Sequence, residues 1–213
     1  MKTRLLLAIA FLLGCVACQA QTNKKQANME NKKMLVVFFS HAGDNYAVGN
    51  IKVGNTKIVA EYISELTGAD RYEIETSKYD GMAYKPLCDL AQEEQIQDAR
   101  PSFTGKIVGA DGKVIVAAPT QADFDKYDVV FVGGPIWWGT YPQVMFTFFD
   151  TFSLNGKTIY PFTTHEGSGL GNCVSDVRQN YPKADVQRGF SMYGHEVRSG
   201  KQKVEKWING LNL

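Results

Sequence analysis

The chain has 213 residues, of which 44% are hydrophobic, and its 23 lysines and arginines nearly balance its 22 aspartates and glutamates. This length suits one domain plus a leader, and the balanced charge excludes a strongly basic, nucleic-acid-binding surface. No segment is repeated or of low complexity, which indicates a globular domain.

The N-terminus has the pattern of a secretory signal peptide. Lys2 and Arg4 form a short basic region, and the apolar run 5–13 that follows is too short to span a bilayer. We therefore predict a signal peptide at residues 1–14 and an exported protein. Its removal leaves 21 basic residues against 22 acidic ones, a net charge of −1.

The end of the leader, Leu-Leu-Gly-Cys at 12–15, resembles the lipobox of bacterial lipoproteins. This resemblance makes Cys15 the lipidated first residue of the mature protein. Cys18 is a weaker candidate, and a simple cleaved leader is the alternative. Residues 15–33 are then a lipidated cysteine and a flexible, polar tether. We expect contact with the membrane only through this anchor, on its periplasmic side.

Strand and helix patterns alternate from residue 34 onward. Parallel strands require such crossovers, so we predict one doubly wound α/β domain at 34–213 with five main parallel strands. Asp111-Gly112 predicts the turn of a small inserted β-hairpin at 106–117. The predicted strands are 34–39, 71–75, 127–134, 157–163 and 184–190, and the predicted helices are 55–68, 86–99, 143–152, 170–181 and 197–211.

The first loop with chemical character joins Ser40-His41-Ala42 to Gly54-Asn55-Thr56. Small residues in front of a helix let backbone N–H groups surround a phosphate. The Walker lysine and the GxGxxG pattern are absent, which disfavours a nucleoside triphosphate and a Rossmann-type dinucleotide. A plain helix cap explains Asn55 and Thr56 about as well.

The second loop carries Trp137 and Trp138 directly after a buried-looking strand. These side chains are either packing residues or the wall of a site for a flat ligand. The third loop, 164–171, contains three glycines, which offer backbone amides to a ligand edge or simply form a flexible turn. Together the three loops fit an aromatic ring that bears one phosphate, such as flavin mononucleotide (FMN).

Four segments carry a resemblance to flavodoxin-like proteins. They are FFSHA at 38–42, GNTKIVA at 54–60, YDVVFVGGPIWWGT at 127–140 and PFTTHEGSG at 161–169. Within this family, the chain is most similar to a bacterial group whose phosphate loop is split by an insertion, here residues 43–53.

The resemblance implies a five-stranded sheet of order 2-1-3-4-5 with FMN at its carboxyl edge. The phosphate would be held by Ser40, Ala42, Asn55 and Thr56. Trp138 would stack on the flavin, and Trp137 would pack against the protein or the ring's rim. The complete set of expected cofactor contacts is Ser40, His41, Ala42, Gly54, Asn55, Thr56, Pro135, Ile136, Trp137, Trp138, Gly139, Thr164, His165, Glu166 and Gly167.

The sequence shows neither a catalytic constellation nor a metal motif, so we expect the chemistry to belong to the cofactor. The predicted function is electron transfer, or flavin-dependent reduction of a small quinone-like acceptor, with the redox partner unknown. The alternative is an exported flavodoxin-fold lipoprotein that binds a ligand or a partner without redox activity. His41 and His165 are either ligand contacts or bystanders. His195 is either a contact with a bound substrate or an uninvolved surface residue, and its place after the last strand favours the surface residue. The sequence predicts that Cys88 and Cys173 are separate core residues. The alternative is that they pair in an oxidising compartment.

Overall fold

A mostly parallel β-sheet forms the centre of the domain in the computed structural model, which describes residues 32–213. The predicted signal peptide and Cys15 lie outside the described residues. The strands are β1 (Met34–Phe39), β2 (Gly43–Asn45), β3 (Gly49–Ile51), β4 (Asp70–Ile74), β5 (Ile107–Val108), β6 (Val114–Val116), β7 (Val129–Pro135), β8 (Thr158–His165), β9 (Asp185–Val186) and β10 (Phe190–Tyr193).

The five main strands are parallel and lie in the order β4-β1-β7-β8-β10. Counted along the chain, this is the predicted order 2-1-3-4-5, and the fold prediction is confirmed. The predicted hairpin at 106–117 is present as β5 and β6. It extends the sheet because β5 pairs antiparallel with the edge strand β4.

The helices are α1 (Asn55–Thr67), α2 (Tyr84–Ile96), α3 (Gln121–Phe124), α4 (Gln143–Thr151), α5 (Cys173–Asn180) and α6 (Lys201–Asn209), with a 3-10 helix at Gly194–Ser199. Every residue of β1 is buried, as expected of a strand that is covered on both faces. Leu35 and Val37 of β1 share a core with Phe148 of α4 and Val177 of α5. Helix α1 packs against α6 and also contacts β1.

Three local predictions differ from the structure. The last strand is divided into β9 and β10, with residues 187–189 between them outside any strand. Helix α5 begins at Cys173 rather than residue 170, after two glycines in the left-handed conformation. The helical spacing of the predicted helix 86–99 places Ile96 on its inward face, but Ile96 is the last residue of α2 and is 79% exposed. Within residues 32–213, no helix is both long enough and apolar enough to cross a membrane.

Candidate functional site

A cavity of about 760 Å³ lies where β1, β7 and β8 end at the carboxyl edge of the sheet. This is the edge at which open α/β sheets bind ligands. The structure brings eleven of the expected contact residues to the cavity wall: His41, Asn55, Thr56, Pro135, Ile136, Trp137, Trp138, Gly139, Thr164, His165 and Glu166.

Four expected contacts do not line this cavity, and their role in binding stays a prediction. Ser40 accepts a hydrogen bond from the backbone N–H of Lys57 (2.9 Å) and so caps the start of α1. Gly54 is buried between the two halves of the loop, where a Cβ would lie 2.3 Å from Ser40 Oγ. Ala42 is exposed, and Gly167 lines a neighbouring pocket that it shares with His165.

The start of α1 is an anion-binding arrangement. Asn55 and Thr56 are its first two residues, so their N–H groups have no carbonyl one turn earlier to bond. Both residues line the cavity. The buried hydroxyl groups of Thr56 and Thr164 share a hydrogen bond of 2.7 Å, which joins the first loop to the third. A ligand phosphate at this point would meet amide donors and the positive end of the helix.

His41 adds a free polar atom to the same wall. Its ring is 7% exposed, and its Nε2 atom has no hydrogen-bond partner among residues 32–213. Burial lowers the pKa of His41, although Asp80 and Asp44 oppose the shift, so the ring is neutral at physiological pH. Because a buried polar atom without a partner costs free energy, His41 Nε2 is suited to bond a ligand.

The tryptophan loop is a two-residue hairpin. The backbone N–H of Trp137 donates to the carbonyl of Thr140 (2.8 Å), and the backbone N–H of Thr140 donates to the carbonyl of Trp137 (3.2 Å). The two central residues, Trp138 and Gly139, have φ values of 50° and 85°. This geometry matches a type I′ turn, which favours asparagine or glycine rather than a bulky residue at its first central position.

The two indoles have different environments, as the sequence predicts. Trp137 is partly buried and packs edge-on against Tyr79, with ring centroids 5.0 Å apart, and against Phe39 at 5.7 Å. Trp138 is 49% exposed and donates its Nε1–H to the carbonyl of Cys88 in α2 (2.9 Å). Both indoles line the cavity, and Trp138 is the more exposed of the two.

Hydrogen bonds hold the side chains of the third loop in place. The backbone N–H of Gly167 donates to His165 Nδ1 (2.9 Å), which therefore carries no proton. Burial lowers the pKa of His165, and the neighbouring acidic residues Glu166 and Glu196 oppose this shift. The Glu166 carboxylate bonds both the backbone N–H (2.9 Å) and Nδ1 (2.7 Å) of His195.

His195 is thus engaged with the third loop, although the sequence indicated an uninvolved residue. The 3-10 helix that begins at Gly194 also reaches the first loop. The Arg198 guanidinium donates to Asn55 Oδ1 (3.3 Å) and to the carbonyl of Val53 (3.4 Å), on either side of Gly54. The C-terminal segment therefore braces both ends of the cavity.

Sequence reasoning missed one whole side of the cavity. This side consists of the β2–β3 hairpin and the first half of α2. The hairpin lies within the predicted insertion, and α2 corresponds to a predicted helix in which the sequence shows no motif. Tyr46 and Tyr84 are the only aromatic side chains on this side. No pattern in the sequence indicates that these two side chains are exposed. The missed lining residues on this side are Asp44, Asn45, Tyr46, Val48, Tyr84, Lys85, Leu87, Cys88, Asp89 and Ala91, and Ser168 and Gly194 were missed elsewhere in the lining.

The thiols and the metal-binding side chains suggest no further chemistry. Cys88 and Cys173 are both free, and burial raises the pKa of the Cys173 thiol. Across residues 32–213, no group of three or more His, Cys, Asp or Glu side chains could hold a metal ion.

The comparisons with known proteins agree with this fold. The flavodoxin family profile matches residues 33–211, and the chain therefore belongs to the flavodoxin family. No curated protein matches the chain.

Solved structures give the same fold. A candidate flavoprotein of Bacteroides uniformis is 24% identical, with a TM-score of 0.61, over 84% of this chain and 98% of that one. Another, of Bacteroides eggerthii, is 25% identical, with a TM-score of 0.59, over 86% and 99%. A flavoprotein of Lactobacillus acidophilus solved in complex with FMN is 21% identical, with a TM-score of 0.52, over 79% and 97%.

Gly139→Ala should lower the free energy of unfolding by about 1–2 kcal/mol, because it places a side chain in the left-handed conformation. Gly156→Ala is a matched control, since Gly156 has a φ of 82° and lies outside the cavity lining. A Cβ at either position would meet no atom within 4 Å. Backbone strain is therefore the only expected cause of the lower free energy of unfolding. Urea unfolding of the apoprotein should give similar losses for the two variants. A much smaller loss in Gly139→Ala would show that the tryptophan loop relaxes.

Proposed function

We propose that this protein binds FMN at the cavity and uses it for electron transfer or for the reduction of a small, quinone-like acceptor. One observation carries the proposal. A single cavity joins the open amino end of α1 to the exposed Trp138 and to the backbone of the third loop. A phosphate, a flat ring and a polar ring edge each find a matching surface there.

FMN is the cofactor that the family match and the FMN complex of the Lactobacillus neighbour support. The chemistry of the donors also fits. Asn55 and Thr56 would hold the phosphate through their free N–H groups, next to Ser40 and Ala42. His41 Nε2, buried and without a partner among the described residues, is free to bond a polar group of the ligand.

The tight contact at Gly54 keeps the halves of this phosphate loop together. A Cβ there would lie 2.5 Å from the carbonyl of His41. The β2–β3 hairpin splits the loop into two halves. This contact and the Arg198 hydrogen bonds hold the halves together, as the backbone of a short continuous loop would otherwise do. We infer that the chain has the split phosphate loop of the bacterial group it resembles.

The ring site is built from the second and third loops. Trp138 would cover the flavin, and Thr164, His165, Glu166 and Gly167 would line the other edge of the ring. The Glu166 carboxylate is bonded to His195 and so is held in place by the C-terminal segment. These residues bind and orient the ring and limit the access of water.

Bound FMN supplies one-electron and two-electron redox chemistry. The mature chain has a net charge of −1, whereas a strongly acidic surface would steer a carrier to a basic partner protein. This near-neutral charge favours a reductase for a small acceptor. A quinone would take up two electrons and two protons to become the hydroquinone, with a reduced pyridine nucleotide as the electron donor.

The test uses the purified protein with FMN, NADH or NADPH, and 1,4-naphthoquinone in the absence of oxygen. We expect a yellow protein with quenched tryptophan fluorescence, whose reduced form is reoxidised by the quinone. Steady turnover with a pyridine nucleotide would identify a reductase, and single reoxidation without turnover would identify a carrier. A protein that stays colourless with unquenched fluorescence would contradict the proposal and favour the lipoprotein without redox activity.

Trp138→Ala should weaken FMN binding by about 1–3 kcal/mol, by analogy with aromatic stacking on nucleic-acid bases. Riboflavin binding should weaken equally, because the two ligands share the ring and differ in the phosphate. Trp138→Phe, which keeps an aromatic ring, should lose much less. Titration followed by flavin fluorescence measures all these affinities. Unchanged affinity in Trp138→Ala would place the aromatic wall elsewhere.

We also propose that the protein is exported and anchored through Cys15 on the periplasmic side of the membrane. The support is the leader pattern at 1–14 and the lipobox-like sequence that ends at Cys15. In bacteria that express the full chain, Cys15→Ala should move the protein from the membrane fraction to the soluble fraction, and Cys18→Ala should not. Loss of the anchor only in Cys18→Ala would assign lipidation to the second cysteine.

A further inference from the structure

The β2–β3 hairpin and the amino end of α2 form a side of the cavity that none of the expected flavin contacts occupies. Tyr46, in the turn between β2 and β3, and Tyr84, the first residue of α2, both line this side. Tyr46 is 61% exposed and Tyr84 is 38% exposed. Two large aromatic rings at a cavity wall, open to solvent, are typical of a surface that binds a ligand.

These two tyrosines are held together by bonds that do not use their hydroxyl groups. Asp44 Oδ2 accepts the backbone N–H of Tyr84 (2.9 Å), one of the N–H groups that a helix start leaves free. The rings of Tyr46 and Tyr84 lie with centroids 5.8 Å apart and planes inclined by 32°. The hairpin is therefore fixed against α2 with an aromatic pair at the junction.

The charges on this side do not favour an anion. Lys85 Nζ bonds both carboxylate oxygens of Asp89, at 3.1 and 3.0 Å. The Asp44 carboxylate caps the start of α2. Because this wall carries two carboxylates, Asp44 and Asp89, and one lysine, Lys85, it favours an uncharged ligand over one that carries phosphates.

The phenol groups suit a ligand with carbonyl oxygens. A hydrogen bond with the Cys88 side chain and partial burial raise the pKa of Tyr84 to about 12, so its hydroxyl is protonated at neutral pH. The Tyr46 hydroxyl can donate to a carbonyl oxygen, while the aromatic faces of the two tyrosines cover the ring that bears it.

We propose that Tyr46 and Tyr84 form the acceptor subsite of this cavity, which binds a flat, uncharged quinone ring. This inference rests on the proposed function, because it assigns a place to the acceptor that the flavin would reduce. Trp138 and the third loop serve the cofactor, and the hairpin side serves the acceptor.

The experiment measures binding without turnover. The full chain loaded with oxidised FMN, which has no electrons to give, is titrated with 1,4-naphthoquinone, and the flavin difference spectrum is followed. Tyr46→Ala should weaken quinone binding about tenfold, whereas Tyr46→Phe should stay within about threefold of the unaltered protein. FMN affinity should stay within about twofold in both variants. The control is Ile115→Ala, which removes a similarly exposed side chain from β6, outside the cavity lining.

Two outcomes would overturn the inference. Quinone affinity that is unchanged in Tyr46→Ala would remove Tyr46 from the subsite. An equal loss of FMN affinity in that variant would mean that the tyrosines cover the flavin instead. Failure of the proposed function looks different, since FMN would not bind or the reduced protein would not be reoxidised. Far-ultraviolet circular dichroism checks that each variant is folded.

Discussion

The parallel register of three buried strands is the constraint on which the site depends. Phe38 of β1 lies opposite Gly133 of β7, and Gly133 lies opposite Phe162 of β8. Because buried side chains fix this register, the loops after β1, β7 and β8 leave the sheet at one edge. A slip by one residue would turn each strand's core side chains to the opposite face. Further bonds then tie the loops to each other, such as that from the Ile136 N–H to the Thr164 carbonyl (3.1 Å).

The sequence predicts those parts of the molecule that depend on local patterns. The β-branched run of β7 and the Asp111-Gly112 turn each indicate their structure within a few residues, and so does Gly68, which ends α1 with a φ of 73°. The hairpin side of the cavity depends instead on contacts between distant residues. The bond from Tyr84 to Asp44 spans 40 positions, and that from Trp138 to Cys88 spans 50. Local periodicity carries no information on such pairs, so this side could not be predicted from a single sequence.

The tryptophan pair shows how a turn assigns different roles to two identical neighbours. In a two-residue hairpin, the residue before the turn is hydrogen-bonded to the opposite strand, and the residue after it lies at the tip of the turn. Trp137 is therefore drawn into the core, and Trp138 is held outward in a conformation that bulky residues rarely adopt. Backbone strain of this kind persists where the surrounding structure enforces it, and it concentrates at functional sites. Here the indole bond to Cys88 and the bond from Gln95 to the Trp138 carbonyl (3.1 Å) enforce it.

The brace from the C-terminal 3-10 helix has a consequence for the order of events during biosynthesis. Arg198 reaches Val53 and Asn55 across 145 and 143 positions of the chain. Contacts between such distant segments form late, after the strands between them have paired. The first loop leaves the ribosome well before the residue that braces it. The pocket is thus complete only when segments from distant parts of the chain have met, and a cofactor would find all of its walls in place only then.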